Sequence, residues 1–374
     1  MAPMQPFVPH VLPINELDWR LLLPLVGQAN AALARYDGLL AGIPNPAVML
    51  SPLTTQEAVL SSKIEGTQAT VDEVLEQEAG LLKEGEKYED IREISNYRQA
   101  LYQAREYLKD YPIRLAFVRE LHRTLMNSVR GKDKTPGQFR LEQNWIGPLH
   151  CPIEQATFVP PNPIQLPDHL RAWEVYLDLD DVDFLIQTAV VHAQFELLHP
   201  FKDGNGRIGR ILIPLFLYQK RVLSQPMFYL SEYLESHRDE YYARLKGISA
   251  EGDWNSWIAF FLRATTVQAA QNGQRVAAIQ SLYEEMKLAI QAATHSQYTV
   301  HLLDTIFSKP IFRTSDLAQR LTDEFGIHDK TAAALLRQLR DAGILREIQP
   351  ASGRRPATLC FPRLINLAEG RDVL

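Results

Sequence analysis

Twelve residues, His199-Pro-Phe-Lys-Asp-Gly-Asn-Gly-Arg-Ile-Gly-Arg210, carry most of the chemistry this chain advertises. An imidazole with an ordinary pKa of about 6.5, His199, suits a general base. Asp203 is a hard oxygen ligand of the kind that shares Mg²⁺ with a polyphosphate. Gly204 and Gly206 let the backbone take positive φ and approach a ligand closely. A glycine turn that opens a helix gathers unpaired N–H groups and the positive end of the helix dipole, which makes an anion site. Arg207 and Arg210 lie three apart on one face of the first turn and add two guanidinium forks. Lys202 joins them as a further phosphate-binding candidate.

Two helical patterns position this run. Upstream, Phe184 to Leu198 is apolar on most sides and free of glycine and proline. Downstream, Ile208 to Tyr218 is apolar again, with Pro214 inside it predicting a kink or a locally satisfied carbonyl. A second signal lies far upstream in Ser61-Ser-Lys-Ile-Glu65-Gly66. Ser61 and Glu65 are four apart, so one helix face carries both, and Gly66 fits a left-handed C-terminal stop. His192, Glu196 and His199 also share a face, but zinc motifs of this spacing need a Glu directly after the first His. Ala193 stands there, so His192 reads as a core histidine.

The first run resembles the signature of the Fic family, His-x-Phe-x-Asp/Glu-Gly-Asn-Gly-Arg-x-x-Arg, with every fixed position matched. The resemblance implies a mainly α fold, a Fic-type helical bundle with a β-hairpin flap. It also implies a protein adenylyltransferase that moves AMP from ATP to a Ser, Thr or Tyr hydroxyl of a target protein. His199 would then deprotonate the hydroxyl, and Asp203 would hold Mg²⁺ on the α- and β-phosphates. Asn205 and the amides around Gly204 and Gly206 would form an anion hole, and Arg207 and Arg210 would take the β- and γ-phosphates. The related Doc kinases carry Lys where Gly206 stands, so Gly206 favours AMP transfer over phosphorylation. The Ser61–Gly66 run resembles the family's inhibitory motif. By that resemblance Glu65 would pair with Arg210 in place of the γ-phosphate, in the class with an N-terminal inhibitory helix. Removal of AMP, another transfer at the same site, and a nucleotide-sensing DNA-binding regulator stand as the alternatives.

The rest of the chain fits around that core. Helices are expected over Leu21–Leu40, from a Thr54/Glu57 capping box to Ile64, and over Thr70–Leu82, Asp90–Leu108 and Ile113–Val129, the last carrying a packed His122. A loop at Lys83–Tyr88 separates two of them. From Gly131 to Pro167, breakers flank Asn144-Trp-Ile and Ala156-Thr-Phe-Val159, two β-prone runs that suggest a hairpin. With Gly137-Gln-Phe-Arg140 and Phe158-Val-Pro-Pro161 it resembles the Fic flap. Residues 137–161 would then dock a target protein by strand addition. Tyr229–Leu245 offers Tyr242, and less strongly Tyr241, for stacking on adenine, as family members do. Helices are expected over Asp253–Ala264 and Val267–Ala293.

Beyond them, three helices and two strands around Ser352-Gly-Arg-Arg355 resemble a winged helix-turn-helix domain. Lys330, Arg337, Arg340, Arg354 and Arg355 are its cations. Yet residues 300–374 hold 11 Lys or Arg against 9 Asp or Glu, too little excess to decide between DNA and protein as its partner. The expected division is 1–110, a helical region with the inhibitory helix; 111–265, the Fic core; 266–295, a connecting helix; and 296–374, the winged helix. A net charge of −6 over 374 residues gives no overall attraction to nucleic acid or to anionic membranes. Two distant cysteines predict reduced thiols and a cytoplasmic setting. No apolar run is long enough to span a bilayer, and no signal peptide is expected. Self-modification and a homodimer stay open.

Overall fold

The computed structural model describes residues 5–80, 87–127, 132–148, 151–353 and 355–373. Sixteen α-helices dominate the described residues. They are α1 (Trp19–Ala41), α2 (Pro46–Met49), α3 (Ser51–Ile64), α4 (Val71–Glu78), α5 (Tyr88–Tyr107), α6 (Leu115–Leu125), α7 (Leu166–Asp178) and α8 (Phe184–Leu198). After them come α9 (Asn205–Gln219), α10 (Ser231–Ser236), α11 (Arg238–Glu251), α12 (Trp254–Thr294), α13 (Thr299–Ser308), α14 (Thr314–Phe325), α15 (Asp329–Asp341) and α16 (Pro362–Glu369). The chain divides into two compact units. One comprises residues 1–37, 60–66 and 95–270, the other 38–59, 67–94 and 271–374.

The first unit is built on α8. Asp183 caps it by accepting from the N–H groups of Leu185 (2.8 Å) and Ile186 (3.0 Å). A helix apolar all round has to be buried all round, and α8 is covered by α7, α9 and α11. Its backbone carbonyls still find donors: Trp173 Nε1 reaches Val191 O at 3.0 Å and Trp257 Nε1 reaches Ala189 O at 2.9 Å. Gly209 makes the α8–α9 approach possible. A Cβ there would land on Glu196 Oε1 and crowd the His192 ring. α9 runs as a single helix through Pro214.

Residues 5–18 of the N-terminal arm carry no regular secondary structure. Its Phe7 N–H donates to Val159 O at 2.9 Å, and the Phe7 ring packs on Phe158 at 5.7 Å. His10 O accepts from Gln194 Nε2 at 3.2 Å.

The second unit holds a three-stranded antiparallel sheet in the order β1-β3-β2, from β1 (Ile311–Arg313), β2 (Arg346–Gln349) and β3 (Thr358–Cys360). With α13, α14 and α15 it forms the helix–strand arrangement of a winged helix. Leu302, Leu303, Leu317, Leu321, Leu335, Leu336, Leu339 and Leu359 are among its buried residues. Gly326 ends α14 in the left-handed conformation, and His328 Nδ1 caps α15 by accepting from Lys330 N–H. Of its cations, Arg340 is taken by Asp341 at 2.9 Å and Glu347 at 3.4 Å, while Arg337 bonds the Ala333 carbonyl of its own helix. Arg354 lies outside the described residues.

Several boundaries differ from expectation, each for a local reason. α3 begins at Ser51, with Pro52 in its first turn, where a missing N–H costs nothing. Thr54 is therefore inside the helix, its hydroxyl bonded back to Leu50 O, and the capping box occurs at Thr70/Glu73 instead. α4 stops at Glu78, before a Gly80 of positive φ. Tyr229–Leu245, for which no element was expected, holds α10 and the start of α11, which meet at His237. The two helices expected after Asp253 are one, 41 residues long. Thr265 and Thr266, at the junction of the two expected helices, bond to the carbonyls of Phe261 and Leu262 and stay helical. Among its described residues the flap shows one antiparallel bridge, Ile146 to Phe158. β1 and α16 were not expected. Residues 83–86, most of the charged loop, lie outside the description, as do Val129 and flap residues 149–150. Among the described residues no helix is long and apolar enough to cross a membrane.

Candidate active site

α8 ends at His199, which takes φ 46° and ψ 58°. That left-handed step is uncommon for a residue with a side chain. It turns the chain into the loop that starts α9. Arg140, 2 % exposed, holds the step: Nε donates to His199 O at 2.9 Å and Nη2 to Pro161 O at 2.6 Å. The cation thus satisfies carbonyls left over at the end of α8 and ties the base of the flap to them. Burial without a carboxylate partner lowers its pKa to about 10.

The His199 ring faces Glu196 O at 3.3 Å through Nδ1. A carbonyl can only accept, so Nδ1 carries the proton and Nε2 keeps its lone pair. Burial depresses the ring's pKa to about 4, with Arg140 pushing the same way. The neutral form, the one able to take a proton, therefore dominates near neutral pH.

Between His199 and α9 the loop is closed by Asn205. Its Oδ1 accepts from Phe201 N–H at 2.8 Å and its Nδ2 donates to Phe201 O at 2.9 Å. With the side-chain amide committed there, what Asn205 can offer an anion is its main-chain N–H. Gly204, at φ 76°, makes the last turn into α9 beneath Met126 and His122. Asp203 Oδ1 accepts from Gly204 N–H at 2.6 Å and meets Arg207 Nη2 at 3.4 Å, with 46 % of the side chain exposed. Lys202 pairs with Glu142 of the flap at 3.2 Å.

His122 braces this loop from α6. Its Nε2 donates to Asp203 O at 3.0 Å, its Nδ1 accepts from Gly137 N–H at 2.8 Å, and its ring stacks on Phe201 at 3.7 Å. Burial lowers its pKa to about 4.

Arg210, 2 % exposed, turns away from solvent toward the end of α3. Nε donates to Ser61 Oγ at 2.8 Å, and Nη2 to Ser61 O at 2.9 Å and Glu65 Oε1 at 2.7 Å. Burial alone would raise the Glu65 pKa. The charge and hydrogen bond of Arg210, helped by Arg207 and His199, outweigh it and hold the carboxyl below its ordinary value. Gly206 is the close neighbour that this contact requires, since a Cβ there would land on Glu65 Oε1. Tyr241 is buried and gives its hydroxyl to His192 Nε2 at 3.0 Å, while His192 Nδ1 donates to Gly209 O at 3.0 Å. Tyr242, beside it, is 42 % exposed with Arg238 over its ring. Ser249 donates its hydroxyl to Lys246 O of its own helix at 2.9 Å.

The structure therefore brings His199, Asp203, Gly204, Asn205, Gly206, Arg207, Arg210 and Glu65 into one cluster, with Tyr242 close enough to feel the charges of Glu65 and Arg210. Sequence reasoning passed over Arg140 as a site residue and set Glu196 aside with the zinc idea. A charged residue in an otherwise apolar helix was the available signal for Glu196. Arg140 gave none, because its role is to bond carbonyls far away in sequence.

This geometry agrees with what the chain is similar to. Residues 23–106 match the Fic/DOC family N-terminal region, and residues 112–217 match the Fic/DOC family domain. Together the two spans cover half of the chain, and the protein belongs to the Fic/DOC family. A probable protein adenylyltransferase from Aquifex aeolicus is 24 % identical over 193 residues, 51 % of this chain and 56 % of the relative. Protein adenylyltransferase Fic from Aedes aegypti is 29 % identical over 157 residues, 41 % of this chain and 28 % of the relative. The chain thus spans about half, or less, of the length of these relatives. Among solved structures, a Fic family protein from Desulfovibrio desulfuricans matches 96 % of this chain and 98 % of its own, with a TM-score of 0.56 at 19 % identity. A Fic domain protein from Bacteroides thetaiotaomicron matches 68 % of this chain and 97 % of its own, with a TM-score of 0.54 at 18 % identity. At such identity the likeness concerns the fold alone.

Proposed function

We propose that this protein is an adenylyltransferase that moves AMP from ATP to a hydroxyl of a target protein, held in check by Glu65. The observation that carries the reading is the pairing of a neutral, oriented His199 with an anion cradle five to eleven residues on, in one connected loop. The adenylyltransferase activity named for its relatives points the same way.

In this reading His199 Nε2 takes the proton of the incoming hydroxyl as its oxygen attacks the α-phosphorus. The α–β phosphoanhydride bond breaks and pyrophosphate leaves. The main-chain N–H groups of the first turn of α9 and the guanidinium of Arg207 stabilise the charge on the phosphates. Asp203 fits a Mg²⁺ ion: it is a half-exposed carboxylate at the loop's edge. No cluster of three or more His, Cys, Asp or Glu that could hold a metal occurs among the described residues. Mg²⁺ is commonly held by one or two carboxylates plus phosphate oxygens, and when bound it offsets phosphate charge. Tyr242 offers a ring face for the adenine, and residues 137–161 offer a strand edge for the target.

Glu65 supports the restraint. It holds the arginine that a γ-phosphate would need, so bound ATP lies with its α-phosphate out of line. On this reading residues 1–110 carry the restraint, 111–265 the catalytic core, 266–295 the connection and 296–374 an accessory module.

The test is transfer of label from α-³²P-ATP to protein. Glu65→Gly should raise it at least tenfold over wild type, and adding His199→Ala should abolish it. Transfer from γ-labelled ATP, or equal labelling by wild type and Glu65→Gly, would count against the reading.

A further inference from the structure

Glu196 sits on α8 three residues before His199, and the chemistry above leaves its carboxyl unused. Its main-chain carbonyl orients the His199 ring. Its side chain goes elsewhere. Oε1 is buried and has no hydrogen-bond partner among the described residues, and it lies where a Cβ on Gly209 would fall. Around it stand Arg210 from α9, Glu65 beyond the end of α3, and Tyr241 and Tyr242 from α11. On its own helix, His192 reaches the same Gly209, with its pKa driven down to about 3 by burial.

Charge counting sets the state of this group. Arg210 is 2 % exposed and always cationic, and in the structure Glu65 balances it at 2.7 Å. An ionised Glu196 beside that balanced pair would be a further anion, with its Oε1 buried and no donor of its own, which is costly. Burial, with Glu65 adding and Arg210 opposing, raises its pKa to about 8. If Glu65 departs, Arg210 is left as a buried cation, and the cheapest remedy within reach is for Glu196 to lose its proton.

We propose that Glu196 is a positioning residue for Arg210, protonated while Glu65 holds that arginine and ionised when Glu65 lets go. Opening the Glu65–Arg210 contact therefore releases one proton, and Arg210 keeps a partner that stops it from collapsing elsewhere. The regulatory consequence rests on the proposed role of Glu65 as a restraint; the titration itself does not.

The experiment is infrared spectroscopy of the full chain without nucleotide, following the neutral-carboxyl band that disappears in Glu196→Gln. In wild type the band should persist at pH 7 and fade as pH rises past about 8. In Glu65→Gly, and in Glu65→Gln, which keeps the shape of the side chain, it should already be absent at pH 7. A band that titrates at the same pH in wild type and in both Glu65 variants would overturn the proposal, as would its absence from wild type at pH 7. If the band behaves as expected while no α-label is transferred, the adenylyltransferase reading falls and the charge exchange stands.

Discussion

At the scale of single residues, the two tyrosines of α11 separate cleanly. Tyr241 is a buried strut, its hydroxyl spent on His192, whereas Tyr242 shows a ring face next to the site. Stacking on a nucleobase is worth about 1–3 kcal/mol when the ring is removed. Tyr242→Ala in the Glu65→Gly background should therefore weaken ATP binding about tenfold in calorimetry. Tyr241→Phe should leave ATP affinity nearly unchanged and cost roughly 1 kcal/mol of stability, the usual worth of one buried hydrogen bond. An opposite ranking would move the adenine to the buried ring.

At the scale of elements, the loop from His199 to Arg210 was legible because its chemistry is local. Glycines, a carboxylate and two arginines at fixed spacing describe a helix start whatever surrounds it. The pairing of Glu65 with Arg210 was legible only through family likeness, since 145 residues separate the two. What stayed hidden depends on distant partners. His122 was seen as a packed histidine, but not as the link between Gly137 and Asp203. The junction within α12 was misread because threonines lower helix propensity, and only tertiary packing overrides them. β1 is three residues long, too short for an alternating pattern to show. The α8–α9 approach gives a test at this scale. Gly209→Ala forces a methyl against Glu196 and His192, and such overpacking costs about 1–3 kcal/mol. Urea unfolding should show that loss, whereas Gly326→Ala, with open space around its Cβ, should cost only the strain of its left-handed backbone.

At the scale of the whole molecule, buried titratable groups set the pH response. His122, His192 and His199 have pKa values pulled from 6.5 down to about 4, 3 and 4. Between about pH 6.5 and 4.5 the unfolded chain binds these protons and the folded one does not, so stability falls as pH falls. Glu196 works the other way: raised from 4.5 to about 8, it keeps a proton in the folded state that the unfolded chain has released. Among these four groups, three against one is a net uptake of about two protons on unfolding, a contribution of about 2–3 kcal/mol of stability lost per pH unit on acidification. Denaturant midpoints from pH 7 to 5 would check this, and Glu196→Gln should steepen the slope by about one proton.

The rung between Phe7 and Val159 has a practical corollary for anyone trimming this polypeptide. A cut ahead of Phe7 spares it. A cut beyond His10 strips a donor from a carbonyl whose residue is shut away from water, removes the ring that covers Phe158, and takes the acceptor from Gln194. A shortened protein that fails in the α-label assay would then report a slackened flap rather than a missing catalytic group.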